Sequence, residues 1–144
     1  MPFEYLDSDD NSDLPLIFRA IEKGDLRTVK ELVAENPQVI QETLDTGDQP
    51  LHFACWLKFE TIAKFLISSG AEVNRPGDLG TTPLHYAVFE GDEYSTPIVE
   101  ALLNAGADPQ AVDKRSNSTP LKWAQREHHD GLDESIRLLK QKMQ

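Results

Sequence analysis

Apolar positions recur in a fixed order along most of the chain. Three segments carry the same short run: Gln49-Pro50-Leu51-His52-Phe53-Ala54, Thr82-Pro83-Leu84-His85-Tyr86-Ala87 and Thr119-Pro120-Leu121-Lys122-Trp123-Ala124. Leu84 follows Leu51 by 33 residues, and Leu121 follows Leu84 by 37. A weaker copy starts at Ile17, 34 residues before Leu51, with Ala20 as its alanine. Each run leads into a second pattern: Val29/Leu32/Val33, Ile62/Phe65/Leu66/Ile67, Ile98/Val99/Leu102/Leu103 and Ile136/Leu138/Leu139. Steps of three and four residues mark one face of a helix. Proline in a first helical turn forfeits no hydrogen bond, and the preceding threonine can cap the free amides. Gly70 and Gly106, each followed by alanine, stand where a helix C-terminus favours a positive φ. The pattern predicts repeated units of helix, turn, helix and loop. One such unit cannot bury its apolar face alone, whereas stacked units can.

The Thr-Pro-Leu-His-x-Ala core, the Gly-Ala-x-x-Asn run at Gly70–Asn74 and the period of about 33 residues resemble ankyrin repeats over residues 14–142. The resemblance implies an all-α solenoid of four helix-turn-helix repeats joined by hairpin-like loops. Their approximate bounds are 14–44, 45–77, 78–112 and 113–142. Leu14–Gln41 would form the N-terminal cap and Asp113–Lys142 the C-terminal cap. Residues 1–13, with Glu4, Asp7, Asp9, Asp10 and Asp13, read as an acidic, mobile or loosely docked arm. The third repeat carries about three extra residues near Glu93-Tyr94-Ser95-Thr96-Pro97, expected between its helices. A further residue is added near Ser116-Asn117-Ser118, and His128–Leu132 lengthens the fourth inter-helix loop. The glycine that usually ends the first helix is present as Gly24 and Gly91, but is replaced by Lys58 and His128 in the second and fourth repeats.

Charge changes the picture from fold to partner. There are 25 acidic and 14 basic residues, a net charge of −11. A nucleic-acid binder normally shows the opposite sign, because phosphate contacts supply much of its affinity. No Lys or Arg lies between Arg75 and Lys114, against Asp78, Glu90, Asp92, Glu93, Glu100, Asp108 and Asp113. The central part is therefore acidic, which suits a basic protein partner or serves solubility alone. No stretch approaches a membrane span, the N-terminus has no signal-peptide pattern, and Cys55 is a single cysteine. These features suggest a cytoplasmic chain, monomeric when free.

Candidate chemistry is sparse. There is no Gly-rich phosphate loop, Gly-x-Ser-x-Gly, His-Glu-x-x-His or cysteine pair. In ankyrin repeats the histidine at His52 and His85 ties neighbouring loops by hydrogen bonds. Cys55 occupies a small packing position. His128-His129-Asp130 could attract a metal as a loose cluster, but adjacent histidines lack ligand spacing, and an ordinary exposed loop explains them. No cofactor, metal or catalytic residue is assigned, and the reading is a non-enzyme.

The resemblance implies partner binding on the concave face, built from loop tips and the exposed side of each first helix. Position by position this assigns Asp45, Thr46, Asp48, Trp56 and Leu57 in the second repeat. It assigns Asp78, Leu79, Thr81, Phe89 and Glu90 in the third, and Arg126 and Glu127 in the fourth, with Arg115 and Ser118 near the tip. Glu22 and Lys23 are the first-repeat equivalents. Trp56, Leu57, Leu79 and Phe89 would be apolar anchors rimmed by Asp45, Asp48, Asp78 and Glu90, the anatomy of an interface. Trp56 and Phe89 could instead fold back as core, where Phe53, Tyr86 and Trp123 are expected. A scaffold, or an inhibitor of the immunity-protein kind covering a basic enzyme cleft, fits the same features.

Overall fold

The computed structural model describes residues 13–126 and 133–144. The expected arm, apart from Asp13, lies outside them, as do Glu127 and the His128-His129-Asp130 loop. Helices α1 (Leu16–Glu22) and α2 (Leu26–Glu35) form the first pair, α3 (Pro50–Trp56) and α4 (Glu60–Ser68) the second. Helices α5 (Pro83–Val88) and α6 (Ser95–Asn104) form the third, α7 (Pro120–Arg126) and α8 (Asp133–Lys142) the fourth. Short 3-10 turns at Pro37–Gln41 and Asp78–Gly80 complete the secondary structure of the described residues. First helices stack in the order α1, α3, α5, α7, and second helices in the order α2, α4, α6, α8. All four apolar patterns fall on the second helices.

Local chemistry sets the ends of these helices. Prolines 50, 83 and 120 open α3, α5 and α7. The Lys122 amide donates to the Thr119 hydroxyl (3.3 Å) and the His85 amide to that of Thr82 (3.4 Å). At Gly70 and Gly106 (φ 97° and 94°) paired bonds close the helix: Ala71 N–H to Leu66 C=O at 3.0 Å and Ala107 N–H to Leu102 C=O at 2.9 Å. Gly24 (φ 66°) ends α1 in the same way, and Lys58 (φ 62°) ends α3 despite its side chain.

The third repeat departs from the expectation at two points. Ser95, Thr96 and Pro97 form the first turn of α6, so the insertion occupies Gly91–Tyr94. Its left-handed residue is Glu90 (φ 46°), one position before Gly91, because α5 stops at Val88 and Phe89 is extended (φ −67°, ψ 128°).

The core is one continuous cluster threaded between the helix rows. Phe18 packs on Phe53 (ring centroids 5.6 Å), and Tyr86 meets His52 edge-on (5.9 Å). Phe53 and Tyr86 are buried as expected. Trp123 is half-buried, not core: its ring reaches His85 (5.0 Å) and Phe89 (5.7 Å) at the margin of the last repeat.

Candidate protein-binding face

Histidines inside the repeats bind the loops together. The His52 Nδ1 accepts from the Gln49 amide (2.9 Å), so its Nε2 carries the proton donated to the Arg75 carbonyl (2.7 Å). His85 repeats the arrangement: Nδ1 accepts from the Thr82 amide (3.2 Å), and Nε2 donates to the Ser118 carbonyl (2.9 Å). Burial pushes both imidazoles below their ordinary pKa of 6.5. Neutral, fully partnered rings are structural ties. Cys55 is buried, and desolvation pushes its thiol up to about 12, so no thiolate nucleophile forms there.

The loop tips are built on polar side chains turned inward. Asp48 is 0 % exposed. Its carboxylate accepts from the Thr46 hydroxyl (2.7 Å), the Asp78 amide (3.1 Å) and the Tyr86 hydroxyl (3.1 Å). Gly77 permits this approach, since a Cβ there would stand 2.2 Å from the Asp48 Oδ1. In the last tip Asp113 plays the corresponding part, accepting from the Ser116 and Ser118 amides (2.7 and 3.0 Å) and the Trp123 indole (3.2 Å). Burial would raise its pKa, but these donors outweigh burial and hold it below 3.8.

Three expected contact positions therefore change role. Asp48, Thr81 and Ser118 are buried, and their polar groups serve the turns rather than a partner. The acidic rim loses Asp48, and Asp78 is partly compensated by Arg115 at 3.4 Å. Trp56 and Leu57 are half-buried against the core and Phe89 is half-buried with its ring against Trp123, so none is a free anchor or fully packed. Asp45, Glu90 and Arg126 are exposed, as are Lys23 and Arg115, while Thr46 and Glu22 are half-buried.

Leu79 is the outlier. It is 47 % exposed and sits at φ 50°, ψ 38°, a conformation that costs a bulky side chain about 1–3 kcal/mol. Its carbonyl accepts from the Lys114 amide of the next tip (2.7 Å), and Gly80 beside it (φ 76°) lies close against Lys114. The bonds from Asp78 to Asp48 and from Lys114 to Leu79 join the tips into one connected ridge, on which Leu79 stays exposed. Tyr94, ahead of α6, is a second exposed large apolar residue, 60 % exposed, which the repeat pattern did not signal because it belongs to the insertion.

Among the described residues no group of three or more His, Cys, Asp or Glu is placed to hold a metal. No helix among them is long and apolar enough to cross a membrane.

The repeat fold has relatives. A family profile described as ankyrin repeats (3 copies) matches residues 4–77, and one described as ankyrin repeat matches residues 79–114. The chain belongs to the ankyrin-repeat family. It is 37 % identical over 99 residues to palmitoyltransferase AKR1 of Kluyveromyces lactis, covering 67 % of this chain and 13 % of that protein. It is 38 % identical over 98 residues to palmitoyltransferase ZDHHC13 of Homo sapiens, again 67 % of this chain but 15 % of the relative. Against neurogenic locus notch homolog protein 1 of Xenopus tropicalis the figures are 28 % over 154 residues, 76 % of this chain and 6 % of the relative. The chain spans only a small fraction of each. Ankyrin repeats serve as protein-interaction modules.

Proposed function

We propose that this ankyrin domain is a non-catalytic recognition module that binds a protein with a basic surface through the ridge formed by its second and third repeats. The observation that carries the reading is Leu79, left exposed in a costly backbone conformation, with half-buried Trp56, Leu57 and Phe89 at the C-terminal ends of the first helices. An apolar group held exposed at such a cost, inside a polar rim, is what a contact surface requires. The net charge of −11 and the exposed Asp45 and Glu90 favour a basic counterpart. The domain would act in the cytoplasm as a monomer until it meets that partner. Covering the basic cleft of an enzyme is one form such binding could take.

The test is affinity capture with mass spectrometry, using the wild-type chain and the double variant Trp56→Ala/Phe89→Ala. The variant should lose the captured protein while remaining folded. Capture should weaken as salt rises from about 0.05 to about 0.5 M. Unchanged capture by a variant with a much lower Tm would place both residues in the core. Salt-independent capture would remove the basic partner.

A further inference from the structure

We infer that Lys58 is a positioning residue for this face: its ammonium bridges the C-termini of two successive first helices and holds Phe89 and Glu90 in the geometry they present. The inference rests on the reading of Phe89 and Glu90 as contact residues, but its geometry stands independently of any partner.

Lys58 occupies the position where the first repeat uses Gly24. Its backbone performs the same task, with its own N–H donating to the Cys55 carbonyl (3.2 Å) and that of Phe59 to the Ala54 carbonyl (3.1 Å). Glycine would do this without strain, since the left-handed region disfavours any side chain. The lysine side chain supplies what glycine cannot. Its Nζ donates to the Tyr86 carbonyl at 2.8 Å and the Phe89 carbonyl at 2.9 Å, and lies 3.3 Å from the Cys55 carbonyl and 3.4 Å from that of Trp56. The two shortest contacts cross into the next repeat. All four acceptors are carbonyls at or just past the ends of α3 and α5, where the negative ends of the helix dipoles favour a cation. Charge-assisted bonds of this kind outweigh neutral ones.

The consequence appears in α5. In the first two repeats the residue after the first helix keeps helical angles, Lys23 at φ −79°, ψ −6° and Leu57 at φ −79°, ψ −5°. In the third repeat Phe89, which aligns with Trp56, is already extended at ψ 128°. That rotation brings the Phe89 carbonyl to the ammonium. It also sets the Phe89 ring against Trp123 and forces Glu90, not Gly91, into the left-handed region. A glycine is available at 91 for the ordinary turn, yet the chain does not use it there. The cross-repeat bonds from Lys58 account for that choice.

The test compares Lys58→Gly and Lys58→Arg with the wild-type chain in solution, without a partner. Glycine keeps the turn and removes the ammonium; arginine keeps a cation able to reach the carbonyls. In Lys58→Gly, the Phe89 and Glu90 carbon-13 shifts should move toward the helical pattern of Leu57, and the Trp123 indole proton resonance should shift. Amide exchange at Glu90 and Gly91 should accelerate on the order of tenfold or more. Lys58→Arg should stay near wild type in all three. Wild-type shifts and exchange at Phe89–Gly91 in a folded Lys58→Gly chain would overturn the inference. So would an Lys58→Arg chain that departs as far as the glycine variant. Loss of partner capture by Trp56→Ala/Phe89→Ala is a separate measurement, so the two readings fail separately.

Discussion

At the scale of single residues, the tips divide into side chains that hold the turn and side chains that face water. Asp48 and Asp113 belong to the first kind, each collecting donors from its own loop and from an aromatic side chain. Leu79 belongs to the second and is held there at the expense of stability. Replacing it with glycine relieves the left-handed strain and removes the exposed apolar group. Leu79→Gly should therefore raise unfolding free energy by about 0.5–1 kcal/mol in urea titration while weakening partner capture. A variant that is less stable than wild type would show that the Leu79 side chain supports the fold instead. Neither its conformation nor the burial of Asp48 was legible in the sequence. Asp45-Thr46-Gly47-Asp48 reads as a polar tip, and which of its carboxylates turns inward depends on donors thirty or more residues away, at Asp78 and Tyr86.

Helices and their ends were read more fully. The four second-helix patterns, the proline-led first helices and the glycines at 24, 70 and 106 all fall where the repeat placed them, because each depends on neighbours within one or two turns. The third repeat strayed because a local rule, glycine at the left-handed position, lost to the cross-repeat bonds from Lys58. Stacking also makes helices unequal. Leu66 is buried in α4, a helix with a second helix on either side, whereas Leu138 is half-buried in α8 of the last repeat. Leu66→Ala should cost about 2–5 kcal/mol and Leu138→Ala less than about half of that, both read by denaturant unfolding. Equal losses would contradict a solenoid whose repeats are stabilised by their immediate neighbours.

For the whole molecule, the buried imidazoles couple folding to pH. His52 and His85 have folded pKa values depressed below 6.5, so protons bind more readily to the unfolded chain. The stability they contribute is complete above 6.5 and is lost as pH falls below that value toward the depressed ones. Tm should fall between about pH 7 and about pH 5, and His85→Gln should start lower but decline less steeply. A flat Tm across that window would show that the rings do not carry the effect. Asp113, held below 3.8, loses its contribution only in more acidic solution, so the two effects separate.

The sequence by itself determined the number of repeats, the pairing of helices within each, and the acidity of the central part. Those properties are local or additive: an apolar stripe declares a helix face, a proline declares a start, and charges sum. Tertiary structure decided which polar tips are buried, why Trp123 is only half covered, how Leu79 stays exposed, and what Lys58 does at a glycine position. Each of those outcomes depends on donors, acceptors or covering surface from an adjacent repeat, about one period away along the chain, where periodicity within a single repeat carries no information.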